Sequence, residues 1–210
     1  IYSVSSIDDQ SFLSSFKTSR KIELLPNWIE NLSKNNFEDR YNNKLLAVGR
    51  LESQKNYPLL IKSFQNSNLE IDIYGDGSLK KELTELSIKY NVKTNFLGKL
   101  TYNDLKKEFQ KYKIFISTSL FEGNPKSTME AMSAGCIPIV LNIPNNRELI
   151  VNEFNGYLFE PNDNLEQLVK NVLTNIDKSF EVSKNSIDTI NEKFDIEQIC
   201  EKEIDLITNL

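Results

Sequence analysis

Histidine is absent from the 210 residues of this chain, and cysteine occurs only twice, at Cys136 and Cys200. Without an imidazole, the chain cannot by itself supply a histidine base, a histidine metal ligand or a Ser-His-Asp triad. The two cysteines are far apart and form no C-x-x-C pair, which argues against a zinc site or a disulfide scaffold. Their scarcity suits a reducing compartment, so we expect a cytoplasmic location.

Long apolar runs and an excess of positive charge are also missing. No run approaches the roughly 20 apolar residues that cross a bilayer. The formal net charge is −5, from 25 basic and 30 acidic residues. The sequence therefore does not indicate binding to nucleic acid or to an anionic membrane surface. Neither a P-loop nor a D-x-D pair at a strand end is present, so a metal-bridged diphosphate is not indicated.

What the sequence does contain is a regular alternation of short aliphatic runs with segments of helical period. This pattern predicts an α/β fold, a Rossmann-like, doubly wound parallel sheet of about six strands followed by C-terminal helices. The predicted strands are residues 45–48, 69–74, 93–97, 114–117, 137–141 and 157–159. The predicted helices are 57–65, 78–90, 102–112 and 125–134, with two or three more in 165–210. In the last of them, Ile199, Ile204 and Ile207 are spaced as on one buried face.

The first forty residues differ in composition from the rest, because they are rich in Ser, Asn and Lys and are interrupted by Pro26. We predict that residues 1–40 are the end of a preceding domain and a linker, and that 41–210 form one domain. The chain begins with Ile1 and not Met, and we expect it to be a piece of a longer protein.

The most informative motif, Glu-Gly-Asn-Pro-Lys-Ser-Thr-Met-Glu, directly follows a predicted buried strand. Asn124 is a good N-cap and Pro125 suits the first helical position, so a helix is predicted to begin at the carboxyl end of the strand. Open α/β sheets bind ligands at that edge. The amides of Lys126, Ser127 and Thr128 would lack intrahelical partners there and would offer a site for phosphate oxygens.

Two glutamates flank this helix start. Glu130 would lie roughly 7 to 8 Å further along the helix, a distance that suits a ribose attached to a bound diphosphate. Glu122 precedes the helix beside Gly123 and could turn back over whatever lies beyond the diphosphate. Taken alone, either glutamate is explained as well by the helix dipole or by a hydrated loop.

Basic residues and glycines follow two other predicted strands. After Gly49, Arg50 offers a planar fork and Lys55 a mobile charge, and such a pair can neutralise a diphosphate. In isolation they would be read as hydrated loop charges, but the glutamate motif favours a common anion site. Gly75 and Gly77 would let a turn pass close to a ligand, although a tight turn without a ligand fits equally well.

Read together, the motifs resemble the C-terminal, donor-binding domain of family 4 glycosyltransferases over about residues 20–208. The motifs are Leu25-Pro-Asn-Trp-Ile29, Gly49-Arg50 with Lys55, Gly75-Asp-Gly77, Phe96-Leu97-Gly98, Glu122-x7-Glu130, Asn146-Arg-Glu148 and Asn155-Gly156. This resemblance implies one half of a GT-B fold, with residues 1–20 as the end of the N-terminal domain. Trp28 replaces the glycine that is common in the family's hinge.

The same resemblance assigns roles to residues. It implies that Arg50 and Lys55 hold the donor diphosphate, that Glu130 holds the ribose, and that Glu122 contacts the donor sugar. The turn over 96–99 would lie against the base, largely through backbone groups. No metal or other cofactor is expected, because the two cations would stabilise the departing diphosphate.

The implied reaction is a retaining transfer of a hexose or N-acetylhexosamine from a nucleoside-diphosphate sugar, with UDP favoured, to a glycan or lipid-linked acceptor. The Gly-Asn-Pro-Lys loop after Glu122 is typical of bacterial polysaccharide-type members of the family. Acceptor groups would come mostly from an N-terminal domain, so this fragment alone is expected to bind nucleotide without transferring sugar. A peripheral position at the inner face of the cell membrane is compatible with such a protein.

Two alternatives remain open. A sugar-nucleotide epimerase or a phosphorylase could use the same two-domain plan, but a phosphorylase needs a lysine that anchors pyridoxal phosphate, and nothing in the sequence singles one out. A non-catalytic partner subunit could keep the fold for assembly. The joint presence of Arg50, Lys55, Glu122 and Glu130 argues against it, because a scaffold has no use for four ligand-facing charges.

Overall fold

The structure is a computed structural model that describes residues 2–4, 7–15, 22–25, 28–32 and 36–208. Two residues of the predicted hinge motif, Pro26 and Asn27, lie outside these ranges. The strands are β1 (Tyr2–Val4), β2 (Ile22–Leu24), β3 (Tyr41–Val48), β4 (Glu70–Tyr74), β5 (Lys93–Gly98), β6 (Tyr112–Ser117), β7 (Ile137–Leu141) and β8 (Tyr157–Phe159). The helices are α1 (Ile7–Ser14), α2 (Tyr57–Ser63), α3 (Lys80–Lys89), α4 (Tyr102–Phe109), α5 (Lys126–Ser133), α6 (Pro144–Leu149), α7 (Leu165–Thr174), α8 (Ile176–Lys193) and α9 (Ile196–Thr208).

The main sheet has six parallel strands in the order β5-β4-β3-β6-β7-β8, and β1 pairs with β2 in a separate two-stranded sheet. The predicted fold class is confirmed. Because all six strands are parallel, their carboxyl ends lie at one edge. The chain adds β4 and β5 on one side of β3 and then returns to add β6, β7 and β8 on the other. The order therefore reverses between β3 and β6, and this reversal opens a crevice at the carboxyl edge.

Both faces of the sheet are covered, which explains the continuous apolar runs of its central strands. In β3, Leu45 and Ala47 pack with residues of α2, α3 and α7, whereas Leu46 between them packs with residues of α4 and α5. Each fully buried aliphatic side chain of this kind contributes about 1.5 to 3 kcal/mol. The two cores fix the sheet and therefore the loops at its carboxyl edge.

β3 begins at Tyr41, earlier than its apolar pattern predicts. The amide of Tyr41 donates to the Lys111 carbonyl at 2.9 Å, and Tyr41 pairs in register with Tyr112. Strand pairing thus continues through the exposed Tyr-Asn-Asn segment, which has no alternation for a sequence pattern to detect.

Helix α6 was not predicted, although Pro144 at its first turn is a usual helix start.

The described segment 28–32 lies against the helices of the main sheet. The Ile29 amide donates to the Phe194 carbonyl at 2.9 Å, and the Leu32 amide donates to Ser133 Oγ at 3.0 Å. Both side chains of this segment that face the helices, Ile29 and Leu32, are buried. These contacts attach the segment to α5 and to the end of α8.

Helix α9 contradicts one prediction. Ile199 is buried, but Ile204 is 58% exposed and Ile207 is 63% exposed. The predicted common buried face is therefore wrong for the second half of the helix, because nothing within the described ranges covers those two side chains.

Candidate functional site

The loops that follow β3 and β6 meet at the carboxyl edge of the sheet, where the strand order reverses. There, Lys55 Nζ forms a salt bridge with Glu122 Oε1 at 2.6 Å. Their side chains are only 15% and 12% exposed. Two predicted site residues that are 67 positions apart are thus in direct contact at the usual ligand position of an open α/β sheet.

Hydrogen bonds between the two loops position this pair. Thr118 Oγ1 donates to the Lys55 carbonyl at 2.9 Å, and the Leu120 amide donates to the Gln54 carbonyl at 2.9 Å. Gln54 Nε2 in turn donates to the Phe121 carbonyl at 2.8 Å. The backbone on each side of the salt bridge is therefore tied to the opposite loop. Sequence reasoning missed Gln54, because its partner lies on a different loop.

The glycines serve close packing between neighbouring loops. A Cβ on Gly75 would lie 1.8 Å from the Gly49 carbonyl oxygen, and a Cβ on Gly77 would lie 2.5 Å from the Leu51 carbonyl oxygen. A Cβ on Gly49 would meet Lys55 Cε at 2.7 Å. These contacts support the reading of Gly75 and Gly77 as a tight turn, and their approach to a ligand stays a prediction.

Arg50 lies on the same loop as Lys55 and is exposed. Among the residues that the structure describes, its guanidinium makes no hydrogen bond and no salt bridge. The nearby carboxylate of Glu52 accepts from the Ser78 amide at 3.0 Å and from Ser78 Oγ at 2.9 Å. These two hydrogen bonds lower the pKa of Glu52, and the charge of Arg50 helps to lower it. Because Glu52 is engaged with Ser78, the guanidinium of Arg50 remains available to a ligand anion.

The start of α5 differs from the prediction. Asn124 does not cap the helix, and its Oδ1 is buried without a hydrogen-bond partner. Pro125 has φ −78° and ψ 54°, close to an inverse γ-turn, so the Lys126 amide donates to the Asn124 carbonyl at 2.8 Å. The predicted trio of free amides is therefore wrong. Of the three amides, those of Ser127 and Thr128 have no acceptor among the described residues.

Helix α5 ends with Ala134 as its C-cap, and Gly135 follows it in a left-handed conformation. This residue has φ +78°, its amide donates to the Met132 carbonyl at 2.8 Å, and the Cys136 amide donates to the Ala131 carbonyl at 2.8 Å. The two bonds form a Schellman motif, which a left-handed glycine permits.

Glu130 lies on α5 with its side chain only 7% exposed. Its nearest cation is Lys126, whose Nζ is 3.9 Å from Oε1. Burial raises the pKa of the Glu130 carboxyl, while the charges of Lys126 and Lys106 lower it. No donor in the described ranges forms a hydrogen bond to this carboxylate. It is therefore a desolvated acceptor that hydroxyl groups of a ligand could satisfy.

A cluster beside Glu130 was not predicted. The ring of Tyr102, at the start of α4, has Lys106 Nζ 4.2 Å and Lys126 Nζ 5.5 Å from its centroid. Burial raises the pKa of the Tyr102 phenol, and the charge of Glu130 raises it further. Lys106 also forms a salt bridge with Glu30. Sequence patterns contain no signal for this cluster, because its members come from three separate elements.

Phe96 and Leu97 separate into two roles. The Phe96 side chain packs against the hydrophobic core, whereas Leu97 is 45% exposed. The Gly98 carbonyl accepts from the Gly75 amide at 2.8 Å, which joins this turn to the preceding one. Contact of a base with Phe96 would therefore use backbone groups, in agreement with what the resemblance implies.

Two kinds of feature are absent from the described residues. No helix there has both the length and the apolar character needed to cross a membrane. No group of three or more His, Cys, Asp or Glu residues is placed to hold a metal ion. The expectation that the chemistry needs no metal stays a prediction.

The sequence matches the profile of the glycosyl transferases group 1 over residues 29–189. This chain belongs to that glycosyltransferase family. A UDP-Gal:alpha-D-GlcNAc-diphosphoundecaprenol alpha-1,3-galactosyltransferase from Escherichia coli is 36% identical over 183 residues, which cover 77% of this chain and 45% of that protein. An N-acetylgalactosamine-N,N'-diacetylbacillosaminyl-diphospho-undecaprenol 4-alpha-N-acetylgalactosaminyltransferase from Campylobacter jejuni is 31% identical and covers 84% of this chain and 50% of that protein.

Solved structures confirm the GT-B half fold. The crystal structure of Anabaena Alr3699/HepE in complex with UDP and glucose matches with a TM-score of 0.87 at 18% identity, over 99% of this chain and 63% of that chain. The predicted resemblance to glycosyltransferases is therefore confirmed. This glycosyltransferase chain spans about half the length of the two curated relatives described above, at 45% and 50%.

Proposed function

We propose that this chain binds the donor of a glycosyltransferase that uses a nucleoside-diphosphate sugar, with UDP as the favoured nucleotide. The observation that carries the proposal is the contact of Lys55 with Glu122 at 2.6 Å, in the crevice where the strand order reverses. A cation for the diphosphate and a carboxylate for the sugar thus lie side by side at the position where such sheets bind ligands.

The groups around this pair suit the parts of such a donor. Arg50, Lys55 and the free amides of Ser127 and Thr128 would bind the phosphate oxygens. Each hydrogen bond that is assisted by a charge contributes about 1.5 to 3 kcal/mol. Glu130, a buried acceptor without a donor in the described chain, would accept from the ribose hydroxyls. We propose that no metal takes part, since two cations and two amides already oppose the diphosphate charge.

For the acceptor, we infer a glycan or a lipid-linked glycan of a bacterial surface polysaccharide. Both curated relatives carry names that specify transfer to a diphospho-undecaprenol glycan, and both names specify an alpha product. From an α-linked UDP-hexose or UDP-N-acetylhexosamine, an α-linked product means retention of configuration. The bond from the anomeric carbon to the diphosphate breaks, a bond to an acceptor oxygen forms, and the acceptor hydroxyl gives its proton to an oxygen of the departing diphosphate.

In this proposal the cations stabilise the negative charge that develops on the departing diphosphate. We assign only the donor side to this chain, and we propose sugar transfer and acceptor choice for the whole enzyme. We also propose a cytoplasmic location, with peripheral association at the inner face of the membrane where a lipid-linked acceptor would be met. Both cysteines are free in the structure, which suits a reducing compartment.

Calorimetric titration of this chain with UDP, GDP and ADP tests the proposal. We expect UDP to bind, and Arg50→Ala to weaken binding by about 10-fold or more, because one charge-assisted contact is lost. Lys178→Ala is the matched control, because it also removes a positive charge. Lys178 lies on α8, and Ser183 Oγ of the same helix donates to the Gly135 carbonyl just before β7 begins. This part of α8 therefore lies at the amino edge of the sheet, opposite the site. Absence of binding for all three nucleotides, or equal binding by Arg50→Ala, would refute the proposal.

A further inference from the structure

The Lys55 and Glu122 pair raises a question of competition. The proposed function assigns Lys55 to the diphosphate and Glu122 to the sugar, yet the two side chains are bonded to each other. Across the described residues, Lys55 Nζ has no other hydrogen-bond acceptor and the Glu122 carboxylate has no other hydrogen-bond donor. Tyr57 is close, but its hydroxyl donates to the Gly49 carbonyl at 3.3 Å. Within the described chain, each of these two charged groups is therefore the sole hydrogen-bond partner of the other.

The low exposure of both side chains makes this contact electrostatically strong. At 15% and 12% exposure, solvent screens the charges much less than at the surface. A phosphate oxygen that approaches Lys55 meets a positive charge already neutralised by a carboxylate 2.6 Å away. Glu122 then repels the incoming anion, because like charges that share a site oppose each other.

The surroundings indicate which partner moves. The Lys55 side chain passes closely over Gly49, and the backbone carbonyl of Lys55 accepts from Thr118 Oγ1 at 2.9 Å. Glu122 is followed by Gly123, and a Cβ added to Gly123 would meet no other atom within 4 Å. The two side chains are similarly shielded from solvent, but Lys55 packs over Gly49, whereas the backbone next to Glu122 is unobstructed at Gly123, so a ligand can displace the glutamate more readily than the lysine.

We propose that Glu122 is an internal competitor for Lys55, which weakens binding of a nucleoside diphosphate alone and gives up the lysine when the hydroxyls of an attached sugar offer it new donors. This inference rests on the proposed function. It makes Glu122 a specificity residue that favours the complete donor over the diphosphate product. A glutamate that merely holds Lys55 in place for the phosphate would have the opposite effect on diphosphate binding.

The test compares Glu122→Gln with the unaltered chain by calorimetric titration with UDP and with inorganic pyrophosphate, which carries no base. We expect UDP and pyrophosphate to bind about 5- to 30-fold more tightly to Glu122→Gln, because Lys55 then has no carboxylate that competes with the phosphate; this change corresponds to about 1 to 2 kcal/mol. Glu122→Ala repeats the loss of charge with no side chain left to hydrogen bond, and the same direction of change is expected.

Three further titrations sharpen the test. In a Lys55→Met background the gain from Glu122→Gln should shrink, since no cation is left to compete for and only the direct repulsion between the carboxylate and the phosphate is relieved. Glu181→Gln is the matched control, because it removes an equal charge and an exposed ion pair with Lys178 at 3.2 Å. For UDP-glucose or UDP-N-acetylglucosamine, whichever binds the unaltered chain more tightly, Glu122→Gln should show no gain or a loss.

The outcomes separate the two proposals. If the unaltered chain binds UDP and both Glu122 variants bind it equally or more weakly, the competitor role is overturned and the proposed function stands. An equal gain for UDP and for the UDP-sugar would overturn the specificity role. If the unaltered chain binds no nucleoside diphosphate at all, the proposed function fails, and the inference fails with it.

Discussion

Substitution of Gly75 by alanine should destabilise the protein through the contact between two loops of the site. A Cβ at this position would lie 1.8 Å from the Gly49 carbonyl oxygen and 2.8 Å from its carbonyl carbon. Both atoms belong to the backbone, so no side chain can rotate away to make room. The φ of Gly75 is +153°, which adds strain for any residue with a Cβ.

The cost of this substitution follows from what must move. Separation of the loops would stretch the bonds from the Gly49 amide to the Tyr74 carbonyl at 3.0 Å and from the Gly75 amide to the Gly98 carbonyl at 2.8 Å. Overpacking costs typically about 1 to 3 kcal/mol, and each weakened hydrogen bond adds about 0.5 to 1.5 kcal/mol. We therefore expect a loss of about 3 kcal/mol in the free energy of unfolding, or a fall in Tm of about 6 to 12 °C for a chain of this size.

Urea denaturation at equilibrium measures this loss, and Gly123→Ala is the control. A Cβ on Gly123 meets nothing within 4 Å, so its substitution should change stability by less than about 1 kcal/mol. UDP titration of the two variants adds a second readout, because displacement of Gly49 also displaces the lysine that passes over it. If Gly75→Ala is as stable as Gly123→Ala, the reasoning from loop contact is refuted.

The remaining predictions concern three polar side chains. Burial raises the pKa of Glu130, so this group lowers stability as pH rises from about 4.5 through its folded pKa. Glu130→Gln should therefore raise Tm at pH 7 in thermal denaturation while it weakens UDP binding in calorimetry. Arg40→Ala should cost about 2 to 3 kcal/mol in urea denaturation, since the Ala134 carbonyl loses a donor at 2.8 Å. Gln54→Ala should lower UDP affinity less than Arg50→Ala, because Gln54 only joins the two loops.

Much of the fold could be predicted from the sequence, because a parallel sheet buried on both faces needs apolar strands. Strand β7 (Ile-Pro-Ile-Val-Leu) is buried throughout, and its proline precedes the part that pairs with β8. The polar beginning of β3 could not be predicted in this way. Its extension depends on pairing with β6, a strand about 70 residues later, and a local pattern contains no information about such a partner.

The start of α5 shows how a sound local rule can fail. Asn followed by Pro is a usual helix start, but Pro125 takes a γ-turn conformation that uses the Lys126 amide. The loop before it is held by contacts with other elements, for example from Asn145 Nδ2 of α6 to the Gly123 carbonyl at 3.2 Å. Tertiary contacts of this kind decide which residue caps a helix, and a capping rule does not include them.

The candidate site illustrates the difference between assembling residues and pairing them. Parallel strands bring the ends of β3 and β6 to one edge, so the presence of Lys55 and Glu122 in one crevice follows from the predicted topology. Their direct salt bridge does not follow, since it depends on the hydrogen bonds of Thr118 and Gln54 between the loops. That distinction has a functional consequence. Two charges that are merely neighbours would each bind a ligand group independently, whereas the competition that we propose would couple recognition of the sugar to the contact of Lys55 with the diphosphate.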